Sequence, residues 1–304
     1  MYRRCTPTPI LQVKFICLFF MSKRQRFVIS SIILSLGFVA IRVFNIEWRF
    51  QAIGALSLLT ILLSIWSLRE GLAGIEWLMI LLLPPMYTAG LGLIFFLLDS
   101  LWFEKFLGAI TPSFLEFVWE TLFRLIPSIW VQTGVELMIF GFGMYTILLT
   151  ENIFTVASIR TIQLFRAAHA VGFLLTLMTA FFVYDAIWSS RLSFWWNGVL
   201  VGLVTFPLTL QGLWSVKLEE KLTTKLLVFA LGISWALAQV ATVLSFWPVP
   251  VTSGSLFLTA CLYVILGLSQ HYWDERIFAK TVGEYLAVGM VVLFTMYFTT
   301  RWGG

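Results

Sequence analysis

Ala168-His-Ala-Val-Gly-Phe-Leu-Leu-Thr-Leu-Met-Thr-Ala-Phe-Phe-Val-Tyr-Asp-Ala-Ile-Trp-Ser189 is the stretch whose reading decides the fold. Its apolar residues run on without alternation for about twenty positions, the length a helix needs to cross roughly 30 Å of hydrocarbon. Barrel strands would alternate polar and apolar over about ten residues. In lipid, backbone polar groups must pair within the segment, and a continuous run of this kind does so as a helix.

Similar runs lie on both sides of it. The chain predicts an all-α, polytopic transmembrane helical bundle with spans near 27–45, 51–68, 77–98, 129–150, 168–189, 195–215, 225–246, 251–269 and 282–300. Of the 304 residues, 60% are hydrophobic and 12% charged. A soluble domain carries about twice that charge fraction, and soluble monomers rarely expose apolar patches on this scale. Residues 27–304 form one integral membrane domain, preceded by a cytoplasmic segment, 1–26.

Within that segment, Met21-Ser-Lys-Arg-Gln-Arg26 leads straight into a clean span and reads as the natural start, with 1–20 upstream of it. The competing reading is a signal-like leader, but no small-residue cleavage site follows Phe20. The cysteines, Cys5, Cys17 and Cys261, are odd in number and scattered, which argues against a disulfide framework.

Charge sets the expected orientation. Fourteen of the twenty Lys and Arg residues fall in one set of loops, Arg24, Arg26, Arg69, Arg160, Arg166, Lys217, Lys225 and Lys280 among them. Arg42, Arg49, Lys105, Arg124, Arg191 and Arg301 fall in the other. By the positive-inside rule the N-terminus lies inside and the C-terminus outside a plasma or bacterial inner membrane. The +5 net charge is spread over short loops with no basic, aromatic-laced face, so no nucleic-acid partner is expected. The expected partners are membrane lipids and, on one reading, another membrane protein.

Two connections are unusual. Between 99 and 127, Ser113, Glu116, Glu120 and Arg124 recur at helical spacing among aromatic residues, after Thr111-Pro112. This reads as an outer interfacial helix or a re-entrant hairpin turning at Gly108 to Pro112. Residues 152–167 read as a short inner interfacial helix.

The segment Glu151-Asn-Ile-Phe-Thr-Val-Ala-Ser-Ile-Arg-Thr-Ile-Gln-Leu-Phe-Arg166, running on to Phe182, resembles a stretch of uncharacterised bacterial multi-pass membrane proteins grouped as a domain of unknown function. The resemblance implies an integral membrane protein and supplies no activity or site residue.

An ionisable group inside a membrane costs roughly 2.5–3.5 kcal/mol on insertion scales and is a functional candidate by default. Glu136 is the deepest, with Gln132 one turn away. Asp185 sits near the outer end of its span, where Arg42 is an expected salt-bridge partner. With Asn197 and Gln239, all six fall in the outer half and predict a polar, outward-facing cavity. The bland alternative is that they only lock helices together. Pro84-Pro85, Gly141-Phe-Gly143 and Pro207 are expected to break their helices, as transporter sites do, although such residues are common in membrane helices anyway.

Enzyme motifs fail. His169 and His271 lie in no His-Glu-x-x-His pattern. His271-Tyr-Trp-Asp274-Glu275 has metal-ligand types at helical spacing but reads as an ordinary inner loop. Asp185 lacks the second aspartate of a proton-sharing dyad. No metal, no cofactor and no catalytic residue is expected. The reading is a protein that binds or transports a small or lipid-linked molecule, or else a non-enzymatic scaffold or assembly partner; an enzyme on a lipid substrate, with Glu136 or Asp185 as acid or base, ranks third.

Overall fold

The computed structural model describes residues 22–41, 46–69, 74, 76–97, 128–159, 163–219, 221–275 and 278–300. These fold into α1 (Lys23–Ile41), α2 (Ile46–Leu68), α3 (Glu76–Ile80), α4 (Leu83–Leu97), α5 (Ser128–Ile159), α6 (Phe165–Ser189), α7 (Phe194–Lys217), α8 (Thr224–Leu244), α9 (Val251–Trp273) and α10 (Ala279–Thr299). With α3 and α4 taken as one span, nine helical spans among the described residues are long and apolar enough to cross a membrane. The expected outer helix at 112–126 lies outside the described residues.

The helices α4, α5, α7 and α9 all pack around α6, which makes it the centre of the bundle. Its buried stripe, Ala168, Gly172, Leu175, Thr179 and Val183 among others, recurs every three or four residues. Exposed Leu36, Leu62, Phe142, Leu203, Trp235 and Phe298 face outward elsewhere. A soluble protein would hide such side chains, whereas in a bilayer they face lipid.

Small residues set the closest contacts, as expected where lipid removes the hydrophobic drive between helices. On α7, Gly198 and Gly202 lie one turn apart. A Cβ at Gly198 would sit 3.1 Å from the Ala238 carbonyl oxygen of α8, and one at Gly202 would sit 3.0 Å from the Ala238 Cβ. Ser, Thr and Ala supply the rest: the Thr60 and Thr88 hydroxyls meet at 3.1 Å between α2 and α4.

Four expectations about helix continuity change. The break in the third span falls at Leu81-Leu82, just before the prolines, because Pro84 and Pro85 fit the first turn of α4, where N–H groups are unpaired anyway. Gly141-Phe-Gly143 breaks nothing: α5 runs unbroken for 32 residues. Those glycines instead admit neighbours. The Tyr87 ring lies against Gly143 and its hydroxyl donates to the Ile139 carbonyl at 2.8 Å. Likewise α7 continues through Pro207. Residues 152–159 are no separate interfacial helix but the last turns of α5.

Candidate functional site

The first two turns of α6 present Phe165, Arg166, His169, Ala170 and Phe173 on one face, the i, i+4, i+8 geometry of a helix. Facing them, the last turn of α9 presents Gln270, His271 and Asp274. Val216 from α7 and Tyr285 from α10 complete a cavity of about 440 Å³. That volume lies within the range of small-molecule sites, roughly 300–1,000 Å³. Both histidines of the chain line it.

Its parts are held from behind. The Gln270 amide donates to the Gly212 carbonyl at 2.8 Å, tying α9 to α7. Tyr285 places its hydroxyl 3.4 Å from His271 Nε2 and packs its ring 4.8 Å from that of Tyr263. Gly267 makes this possible, because a Cβ there would run into the Tyr285 ring. His169 Nε2 is buried with no hydrogen-bond partner. A buried polar atom of this kind calls for an explanation, and a ligand group is one. Among the described residues, no three His, Cys, Asp or Glu side chains converge as metal ligands.

One turn deeper lies a polar pair that spacing did not single out. The Gln211 amide of α7 donates to Glu151 Oε1 of α5. Glu151 is fully buried, and both Glu151 Oε2 and Gln211 Oε1 lack hydrogen-bond partners. Glu151 falls just past the expected span 129–150, and the continuation of α5 to Ile159 brings it inside.

The six residues of the expected outward cavity are placed as follows. Arg42 and the Gln132 side chain lie outside the described residues. Glu136 is buried on α5. Asp185, buried on α6, lies beside the Ser255 hydroxyl, which donates to the Val251 carbonyl at 2.8 Å and so leaves the carboxyl oxygens without a donor. Asn197 on α7 donates to Ser245 Oγ at 3.1 Å, from α7 to the end of α8. Gln239 lies on the exposed face of α8, apart from the interior that holds Glu136 and Asp185.

Two further cavities are apolar. One of about 390 Å³ lies between α4, α5, α6 and α9, with Leu91, Ile139, Phe181 and Leu256 in its wall. The other, of about 310 Å³, lies between α1 and α5. Glu136, Asp185, Asn197 and Gln239 line none of the three cavities.

A family profile described as a protein of unknown function, DUF5656, matches residues 34–299. The chain belongs to that family. No curated protein and no solved structure matches it. The region shared with the DUF5656 family runs from within α1 to the end of α10 and takes in every side chain of the polar pocket.

Proposed function

We infer that this protein binds a small or lipid-linked molecule in the polar pocket between the start of α6 and the end of α9. The observation that carries this reading is the pocket itself: about 440 Å³, lined by Arg166, Asp274, Gln270 and both histidines of a chain that is otherwise very poor in charge. On the positive-inside orientation the pocket opens to the cytoplasm of a cell whose plasma or inner membrane holds the protein, with the N-terminus inside and the C-terminus outside. Transport extends the reading. Glu136, Asp185 and Asn197 stand toward the opposite ends of α5, α6 and α7 and would serve the outward-facing state, with Arg42 and Gln132 as the remaining polar groups that the sequence offers there.

The test is native mass spectrometry of the protein taken from its own membrane into lipid nanodiscs. A molecule of defined mass should be retained, and should be lost in Ala170→Phe, which fills the pocket without altering its polar groups. An adduct equally retained by that variant would remove the pocket from the reading.

The second reading is a non-enzymatic scaffold or assembly partner. It draws on α10, of which only Met296 is buried, while Leu286, Val291, Phe294 and Phe298 face outward. An empty bundle with a stoichiometric protein partner would favour it.

A further inference from the structure

Two oxygens without partners belong to one pair of side chains. Glu151 on α5 accepts from the Gln211 amide of α7 through Oε1. Its second oxygen, Oε2, has no hydrogen-bond partner, and neither has Gln211 Oε1. While the carboxyl is ionised both atoms are acceptors only, so they cannot serve each other. One proton changes that, because a protonated carboxyl gains an O–H donor. A carboxylic acid and a carboxamide then join by two hydrogen bonds, N–H to carboxyl oxygen one way and O–H to amide oxygen the other. The first of these is in place. The two partnerless atoms are the remaining oxygen of the same carboxyl and the oxygen of the same amide.

The surroundings offer no other solution. Glu151 is fully buried, as are Thr150 and Phe154 beside it on α5. Neighbouring helices bring charged or titratable groups to this end of the bundle: Arg26 on α1, Glu76 on α3, His169 on α6 and Lys217 on α7. Among the described residues, none of them bonds to the Glu151 carboxyl. An unpaired charge is costly in a membrane interior, and a proton removes it.

We propose that Glu151 is a proton-binding site: the proton sits on Oε2, is donated to Gln211 Oε1, and closes an acid–amide pair that joins α5 to α7. Release passes that proton from Oε2 to a water molecule, giving hydronium and a carboxylate that keeps only the Gln211 N–H. The carboxylate needs a second donor, so α5 and α7 must part or admit water before the proton leaves. The proton is thereby tied to the position of α7. The next residue, Gly212, accepts from Gln270 of the polar pocket, so one turn of α7 holds both the proton pair and a wall of the pocket. Glu151 itself does not line the pocket, and the proton site stands whether or not the pocket binds a molecule.

Infrared difference spectroscopy tests this on the full chain in lipid nanodiscs at neutral pH, where exposed carboxyls are ionised. A protonated carboxyl gives a C=O stretch clear of the amide bands. The wild-type spectrum minus that of Glu151→Gln should contain this band. The new amide can donate to Gln211 Oε1 in place of the acid O–H, so the variant should fold as the wild type does, with an identical size-exclusion profile. Gln211→Leu leaves the acid without its amide, and the same band should move to higher frequency.

A difference spectrum with carboxylate bands and no protonated-carboxyl band overturns the proposal, the two oxygens then being bridged by water. A band that keeps its frequency in Gln211→Leu overturns it as well, since the acid would not be paired with the amide. This second variant decides the matter should Glu151→Gln fail to fold.

Discussion

At the residue scale, the molecule depends on where a side chain is missing as much as on where one is present. Gly198 and Gly232 look alike in the sequence, each a glycine inside an apolar span. Gly198 faces the Ala238 carbonyl at the crossing of α7 and α8, whereas Gly232 has nothing within 4 Å of where its Cβ would be. Gly198→Val should therefore cost about 1–3 kcal/mol through overpacking, and Gly232→Ala should fall within about 0.5 kcal/mol of neutral. Thermal unfolding in detergent measures both, and equal shifts would contradict the α7–α8 contact.

The Glu151–Gln211 pair gives a second residue-scale prediction. Gln211→Leu removes the only hydrogen bond that the pair shows and leaves a fully buried carboxyl with no donor, a loss of about 1–3 kcal/mol or more. In the double variant with Glu151→Leu most of that loss should be recovered, since replacing both partners by apolar groups is close to neutral. A double variant no more stable than Gln211→Leu alone would show that the pair does not act as a unit.

At the element scale, α10 is held on the bundle mainly through α9, and the contact depends on Gly267. A side chain there meets the Tyr285 ring. Gly267→Leu should push α10 away from α9, unseat Tyr285 from His271 and enlarge the pocket mouth. The expected result is faster labelling of His271 and easier proteolysis between α9 and α10, with the rest of the bundle intact. Unchanged His271 labelling would mean that Tyr285 does not guard it. The α3–α4 break belongs to this scale too. Pro84 and Pro85 lack the N–H groups that would bond back to Ile80 and Leu81, so the chain turns before them and starts again. A proline pair in a span marks where a new helix begins, and the sequence alone left open on which side the break would fall.

At the scale of the whole molecule, the expectation is that nine spans, the number found among the described residues, put the two ends of the chain on opposite faces of the membrane, with the C-terminus outside by the positive-inside rule. A phosphatase fused after Gly304 should be active outside the cell, and a fluorescent protein fused there should stay dark. The opposite result would require a different number of crossings or the inverted orientation.

Hydropathy by itself determined the class, the number of described spans and most of their ends to within a few residues, because the cost of an unpaired backbone group in lipid is local and is paid by each segment alone. Family membership was legible as a resemblance from Glu151 to Phe182. The pocket was not legible. Arg166, His169, Gln270 and Asp274 are ordinary polar residues near helix ends, and His271 with Asp274 read as a solvated loop. They become a site only because α6 and α9 run antiparallel and in contact. In the same way Gln239, at the same depth as Asp185 along the chain's path, proves to face outward on α8. Which face of a membrane helix meets protein and which meets lipid is set by small-residue contacts between helices, such as Gly198 with Ala238, that leave almost no trace in hydropathy, since lipid and protein interior are equally apolar.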